Sequence, residues 1–141
     1  MAGNSISFDT GVRTFQVNET GSVSFNPTSV SFANKLYQLF EKLAGLQEQW
    51  EKETEALQDR PAMVKFFGEK DKAIRAMLDE LFGASVSEGI FPGMNVFDFG
   101  SGAPVWVNFL LAVLDEMTVR AEAESKEAEK RMGKYLAKYR K

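Results

Sequence analysis

The sequence predicts an α+β fold: a small N-terminal antiparallel β-sheet packed on about three α-helices, with a C-terminal helical extension. Three observations predict it. Alternating apolar residues broken by turn signals fill positions 6–25. Apolar residues spaced by threes and fours follow, and an almost wholly apolar segment at 105–114 then passes directly into a charged tail. At 141 residues the chain has the length of one domain with a sizeable core, burying about 65–70% of its unfolded surface. The expected organisation is one domain over 1–118 and a charged, basic helical extension over 119–141.

The first element is a β-hairpin or three-stranded meander over 6–25. Ile6 and Phe8, Phe15 and Val17, and Val23 and Phe25 alternate, separated by Asp9-Thr10-Gly11 and Asn18-Glu19-Thr20-Gly21. Asn26-Pro27-Thr28 ends the last strand because proline cannot donate to a ladder, and Thr28 or Ser29 caps a helix of about 29–58. Phe32, Leu36, Leu39, Leu43, Leu46, Trp50 and Leu57 form one stripe of that helix, while Lys35, Glu41, Glu48, Glu51 and Glu55 fall largely elsewhere. Val30, Tyr37 and Phe40 double the stripe as far as Leu43, which predicts core there. Leu46, Trp50 and Leu57 lie among dense charge without a second apolar row, so Leu43, Leu46, Trp50 and Leu57 are the candidate partner contacts on this helix.

Asp59-Arg60-Pro61 predicts a break and a second helix at about 61–82, carried by Met63, Phe67, Ile74, Leu78 and Leu81 and closed by Gly83. Gly68 counts against one unbroken helix. The glycine-rich segment 83–104 is still apolar, and 93–100 is expected to form a short strand paired with the N-terminal hairpin. Pro104 fits the first position of a helix at about 104–118. That helix is far shorter than the ~20 apolar residues of a bilayer span and runs into Asp115 and Glu116, so a buried central helix is expected and a membrane role is not.

Composition closes most enzyme classes. The chain has no His and no Cys, which removes disulfides, imidazole and thiolate metal ligands, Cys nucleophiles and Ser-His triads. Asp79-Glu80 and Asp115-Glu116 are adjacent carboxylates, but helix neighbours point about 100° apart and read as surface or helix-end charges. Phe99-Gly100-Ser101-Gly102-Ala103-Pro104 lacks the spacing of a phosphate-binding loop and reads as a turn. No catalytic, cofactor-binding or metal residue is nominated, and the chain is not expected to be an enzyme. Twelve Phe supply apolar anchors instead.

The net charge of −3 is unevenly spread: residues 120–141 carry eight Lys or Arg against four Glu, which leaves −7 on the rest. Tyr135, Leu136 and Tyr139, interleaved with Lys134, Lys138, Arg140 and Lys141, are candidate partner contacts on the tail. Base stacking with phosphate neutralisation is the alternative use of that pattern, but the acidic body argues against nucleic acid. Met-Ala-Gly-Asn-Ser at the start has neither the basic region nor the apolar run of a signal peptide, so a cytoplasmic location is expected.

Several segments carry a family resemblance together: Phe25-Asn26-Pro27 after the strand pair, Phe32-Ala33-Asn34-Lys35-Leu36-Tyr37-Gln38-Leu39-Phe40-Glu41-Lys42-Leu43, and Pro104 through Met117. Together they resemble the small tail assembly chaperones of long-tailed bacteriophages, notably phages of Gram-positive bacteria, over most of residues 6–117. The resemblance implies a non-enzymatic protein of the host bacterial cytoplasm that coats the tape-measure protein, helps recruit tail-tube protein, self-associates as a homo-oligomer and is absent from the mature virion. A helical adaptor or another structural component of a phage virion is the alternative. The family has no catalytic signature, so the candidate contacts rest on the residue pattern alone.

Overall fold

The computed structural model describes residues 3–139, with side chains described through residue 133. Strands β1 (Arg13–Val17) and β2 (Gly21–Phe25) form an antiparallel hairpin with Phe15 opposite Val23. Asn18 and Glu19 both adopt positive φ, at 47° and 64°, and the Thr20 N–H donates to the Val17 carbonyl at 3.2 Å. Two left-handed residues in succession give the turn whose twist matches paired strands. One face turns Val23 and Phe25 into the core; on the other the Thr14 and Ser24 hydroxyls meet at 2.7 Å.

The expected strand around Ile6 and Phe8 does not form, so the hairpin spans 13–25 and not 6–25. The groups that would seat a third strand are already engaged. The Asp9 carboxylate accepts from the Gly11 N–H at 2.8 Å and from both terminal nitrogens of Arg13 at 3.0 Å, and the Asn26 amide donates to the Thr10 carbonyl at 2.9 Å. Ile6 and Phe8 are left 93% and 78% exposed.

Helix α1 (Val30–Glu55) opens where Ser29 Oγ accepts the Phe32 N–H at 3.1 Å. Helix α2 (Arg60–Phe82) opens on Asp59, whose carboxylate accepts the Ala62 N–H at 2.8 Å, with Pro61 in the first turn, where a missing N–H costs no hydrogen bond. It runs unbroken through Gly68 and stops at Gly83, whose φ of 67° lets its N–H reach the Glu80 carbonyl while Ala84 reaches that of Asp79.

A short helix α3 (Ser87–Ile90) follows, then strands β3 (Phe99–Gly100) and β4 (Ala103–Pro104), joined through Ser101 and Gly102 at positive φ. The strand expected at 93–100 therefore pairs locally with 103–104 and does not join the N-terminal hairpin. Next to β2 lies α3: a Cβ on Gly21 would stand 2.6 Å from the Gly89 carbonyl carbon, and Thr20 Oγ1 donates to the Gly89 carbonyl at 2.7 Å. Pro104 ends β4, and helix α4 (Val105–Tyr139) begins one residue later. The helix expected to close at 118 and the extension expected beyond it are one continuous helix of 35 residues.

The core draws Leu36 from α1, Ile74 and Leu78 from α2, Val96 from the connecting segment and Leu110 from α4, all fully enclosed. A chain of aromatic contacts links the elements: Phe25 stacks on Phe32 at 4.7 Å, both touch Phe82, and Phe82 touches Phe109 of α4. Such pairs add about 0.5–1.5 kcal/mol each beyond their buried area, so they bind hairpin and helices into one unit.

Candidate partner-binding surfaces

The stripe of α1 does not open outward over its charged half. Leu43 and Trp50 are core residues, 3% and 8% exposed, and Leu46 is half-buried against that core. Trp50 meets Phe97 edge-on at 6.0 Å and carries the Lys70 ammonium at 5.4 Å from its ring centre. Lys70 also lies 4.9 Å from the Phe66 ring and 3.9 Å from the Glu53 carboxylate. The charges around Trp50 are thus the rim of an intramolecular contact: α2 covers the indole, and the lysine stem and ammonium close over it. Leu57 lies past the end of α1, half-buried. The side chains of Tyr135, Leu136 and Tyr139 lie outside the described residues. Trp106 is core, and its buried indole N–H has no hydrogen-bond partner among the described residues.

A polar cluster that the sequence pattern did not single out organises the 84–98 segment. The Arg75 guanidinium donates from Nε to Asp71 at 3.0 Å, from Nη1 to the Ser87 carbonyl at 3.1 Å, and from Nη2 to the carbonyls of Phe91 at 2.8 Å and Met94 at 2.6 Å. The second oxygen of Asp71 accepts the Val96 N–H at 2.7 Å, and the Asn95 amide donates to the Phe67 carbonyl at 3.0 Å. Asp79, expected as a surface charge, accepts the N–H groups of Val86 and Ser87 at 2.9 and 2.8 Å and so anchors α3. Irregular backbone packed near a core needs such partners, and α2 supplies them from one face. The signal in the sequence was Asp71 and Arg75 at i,i+4; their spacing marks a helix pair but not its burial.

That cluster shapes the first apolar groove. Met63, Val64 and Phe67 of α2 face Phe97 and Phe99 across about 420 Å³, with Asn95 and Asp98 on the polar side. Val64 and Phe99 are 68% and 73% exposed, so two large apolar side chains stand open at this groove. A second groove, of about 500 Å³, separates Val30, Ala33 and Tyr37 of α1 from Leu114, Met117 and Ala121 of α4. Val30 and Tyr37 are largely exposed on its α1 side. From Thr118 to Gly133 every residue of α4 is exposed.

Among the described residues no group of three or more acidic side chains is placed to hold a metal ion, and no helix is long and apolar enough to cross a membrane. Apolar grooves with one or two polar groups at the edge suit side chains of a peptide or helix, which contribute apolar anchors at regular spacing. No family model, curated protein or solved structure matches the chain.

Proposed function

We propose that this chain is a phage tail assembly chaperone that binds and coats the tape-measure protein in the host bacterial cytoplasm and helps recruit tail-tube protein during tail assembly. The observation that carries the reading is the groove between Val64 and Phe99. It presents two exposed apolar anchors over a floor of Met63, Phe67 and Phe97, held on a turn braced by Arg75 and Asp71. A tape-measure protein is a long helix, and an amphipathic helix lays apolar residues at i, i+3, i+4 and i+7 into a groove of this kind. The acidic body keeps the coated complex soluble, because like-charged surfaces repel. The resemblance over Phe25–Leu43 and Pro104–Met117 supports the same reading.

A helical adaptor or other structural component of a phage virion is the second reading, favoured by the exposed stretch of α4 from Thr118 to Gly133. Co-expression with a helical tape-measure fragment separates the two. A chaperone forms a complex with the fragment and raises its soluble fraction; an adaptor does neither.

A further inference from the structure

Two sets of large apolar side chains stand in water: Ile6 and Phe8 on the arm that precedes β1, and Val30 and Tyr37 on the α1 wall of the groove towards α4. Scattered singly they would be ordinary surface; here one side chain ties the two sets together. The Asn26 amide nitrogen donates to the Thr10 carbonyl at 2.9 Å, at the root of the arm. Its amide oxygen accepts the Thr28 N–H at 2.9 Å and the Thr28 hydroxyl at 2.8 Å, on the lip of the groove. Gly11 permits this approach, because a Cβ there would stand 2.6 Å from Asn26 Nδ2 and its φ is 86°. The α4 wall is near the same root. Asp9 raises the Arg13 pKa by hydrogen bond and charge, the Glu124 carboxylate of α4 raises it further, and Arg120 of α4 lies 5.8 Å from the Phe15 ring centre. The arm is thus rooted at the rim of the groove, close to both of its walls.

Reach and patterning select the occupant. From Thr10 an extended chain carries Phe8 about 7 Å and Ile6 about 14 Å, while the α1 wall from Val30 to Tyr37 is about 10 Å long. Ile6 and Phe8 alternate with Ser5 and Ser7, so an extended arm turns both apolar side chains to one side and both hydroxyls to the other. Residues 3–8 carry no charged side chain that would have to leave water on entering an apolar groove. We propose that residues 3–8 form a strap that folds back within the same chain and seats Phe8 and Ile6 between Val30, Ala33 and Tyr37 of α1 and Leu114, Met117 and Ala121 of α4.

The structure holds the open state, with the arm and the groove both exposed. Closing fixes the backbone at Ile6, Ser7 and Phe8, a cost of the same order as the gain from covering two large apolar side chains. The strap therefore opens and closes, and a partner reaches this groove only in competition with it. The device rests neither on the tape-measure reading nor on the Val64–Phe99 groove.

The chain has no cysteine, so a nitroxide can be attached through Asn4→Cys alone, a position on the arm outside both anchors. NMR on the full, isotope-enriched chain then reads which amides the label broadens. Broadening is expected at Val30, Ala33 and Tyr37. Adding Ile6→Ser and Phe8→Ser, both at exposed positions, is expected to reduce it several-fold with the rest of the spectrum unchanged. An arm that only wanders near its root would broaden the same amides with or without its apolar side chains. Equal broadening in the two proteins, or none at the groove, would overturn the proposal. Nitroxide-bearing chain without isotope enrichment, mixed with enriched unmodified chain, is expected to leave these amides sharp. Broadening of the groove in that mixture would put the arm on a second copy and would also overturn it.

Discussion

Arg75 and Asp71, one helical turn apart on α2, form an ion pair at 3.0 Å whose side chains are only 15% and 17% exposed. Each partner also holds backbone of the 84–98 segment: Arg75 takes the carbonyls of Ser87, Phe91 and Met94, and Asp71 takes the N–H of Val96. The pair works as a bracket between α2 and an irregular segment, and the position of Phe97 and Phe99 depends on it.

Removing one side of the bracket leaves the other poorly solvated and frees three carbonyls. Arg75→Ala is expected to cost about 2–4 kcal/mol, from lost charge-assisted hydrogen bonds and an uncompensated partly buried carboxylate. Urea denaturation measures the loss. Hydrogen exchange is expected to show faster exchange at Val96, while the amides of β1 and β2 exchange in step with the overall loss of stability.

Gly21 and Gly89 allow the hairpin backbone to lie directly against α3. In Gly21→Ala the new methyl would stand 2.6 Å from one backbone atom of Gly89 and 3.0 Å from the Ile90 nitrogen, and neither atom is the end of a flexible side chain. A destabilisation of about 1–3 kcal/mol is expected in thermal or urea unfolding, with separation of hairpin and α3 as its structural signature. The exposed Gly45, whose added methyl meets nothing within 4 Å, is the control: Gly45→Ala is expected to stabilise α1 by about 0.5–1 kcal/mol.

Asp9 is exposed, yet the side-chain hydrogen bond from Arg13, the Gly11 N–H and the Arg13 charge lower its pKa to about 2. A carboxyl depressed in the folded state contributes stability above its unfolded pKa, about 3.9, and loses it as pH falls through the folded value. The contribution of this ring is therefore complete above about pH 4 and lost towards pH 2. Titration of the Asp9 carboxyl followed by NMR is expected to show a midpoint near 2, and Arg13→Gln is expected to raise it. A midpoint in Arg13→Gln equal to that of the unmodified chain would mean the guanidinium does not hold the carboxylate.

Much of the fold was legible because local chemistry and burial agree. Ser29, Asp59 with Pro61, and Gly83 bound α1 and α2 as their capping chemistry dictates, and Phe32, Leu36, Leu39 and Leu43 are buried as their three-four spacing implies. Val30 and Tyr37, expected to double that stripe in the core, instead stand 85% and 60% exposed at the groove towards α4. Ile6 and Phe8 misled because alternation marks a strand without naming a partner, and Asp9, Arg13 and Asn26 had already taken the groups involved. The 93–100 segment misled for the same reason, since its partner lies three residues onward at Ala103 and Pro104. Trp50 lies in a charged stretch, and its cover, Lys70 from α2 and Phe97 from the 84–98 segment, comes from elsewhere in the chain. The groove at Val64 and Phe99 joins residues more than thirty positions apart through Arg75 and Asp71, a relationship no local spacing expresses.

In the proposed function an amphipathic tape-measure helix binds between Val64 and Phe99. Both side chains are exposed, so Val64→Glu and Phe99→Ser are expected to change stability by no more than about 0.5 kcal/mol. The direct measurement is the soluble fraction of a tape-measure fragment co-expressed with the chain, unmodified or carrying both substitutions. A soluble complex is expected with the unmodified chain, and at least about a tenfold loss of affinity with the double variant, as removal of two interface anchors implies. A fragment equally insoluble with and without the unmodified chain would contradict the chaperone reading. A fragment held equally well by the double variant would contradict the groove.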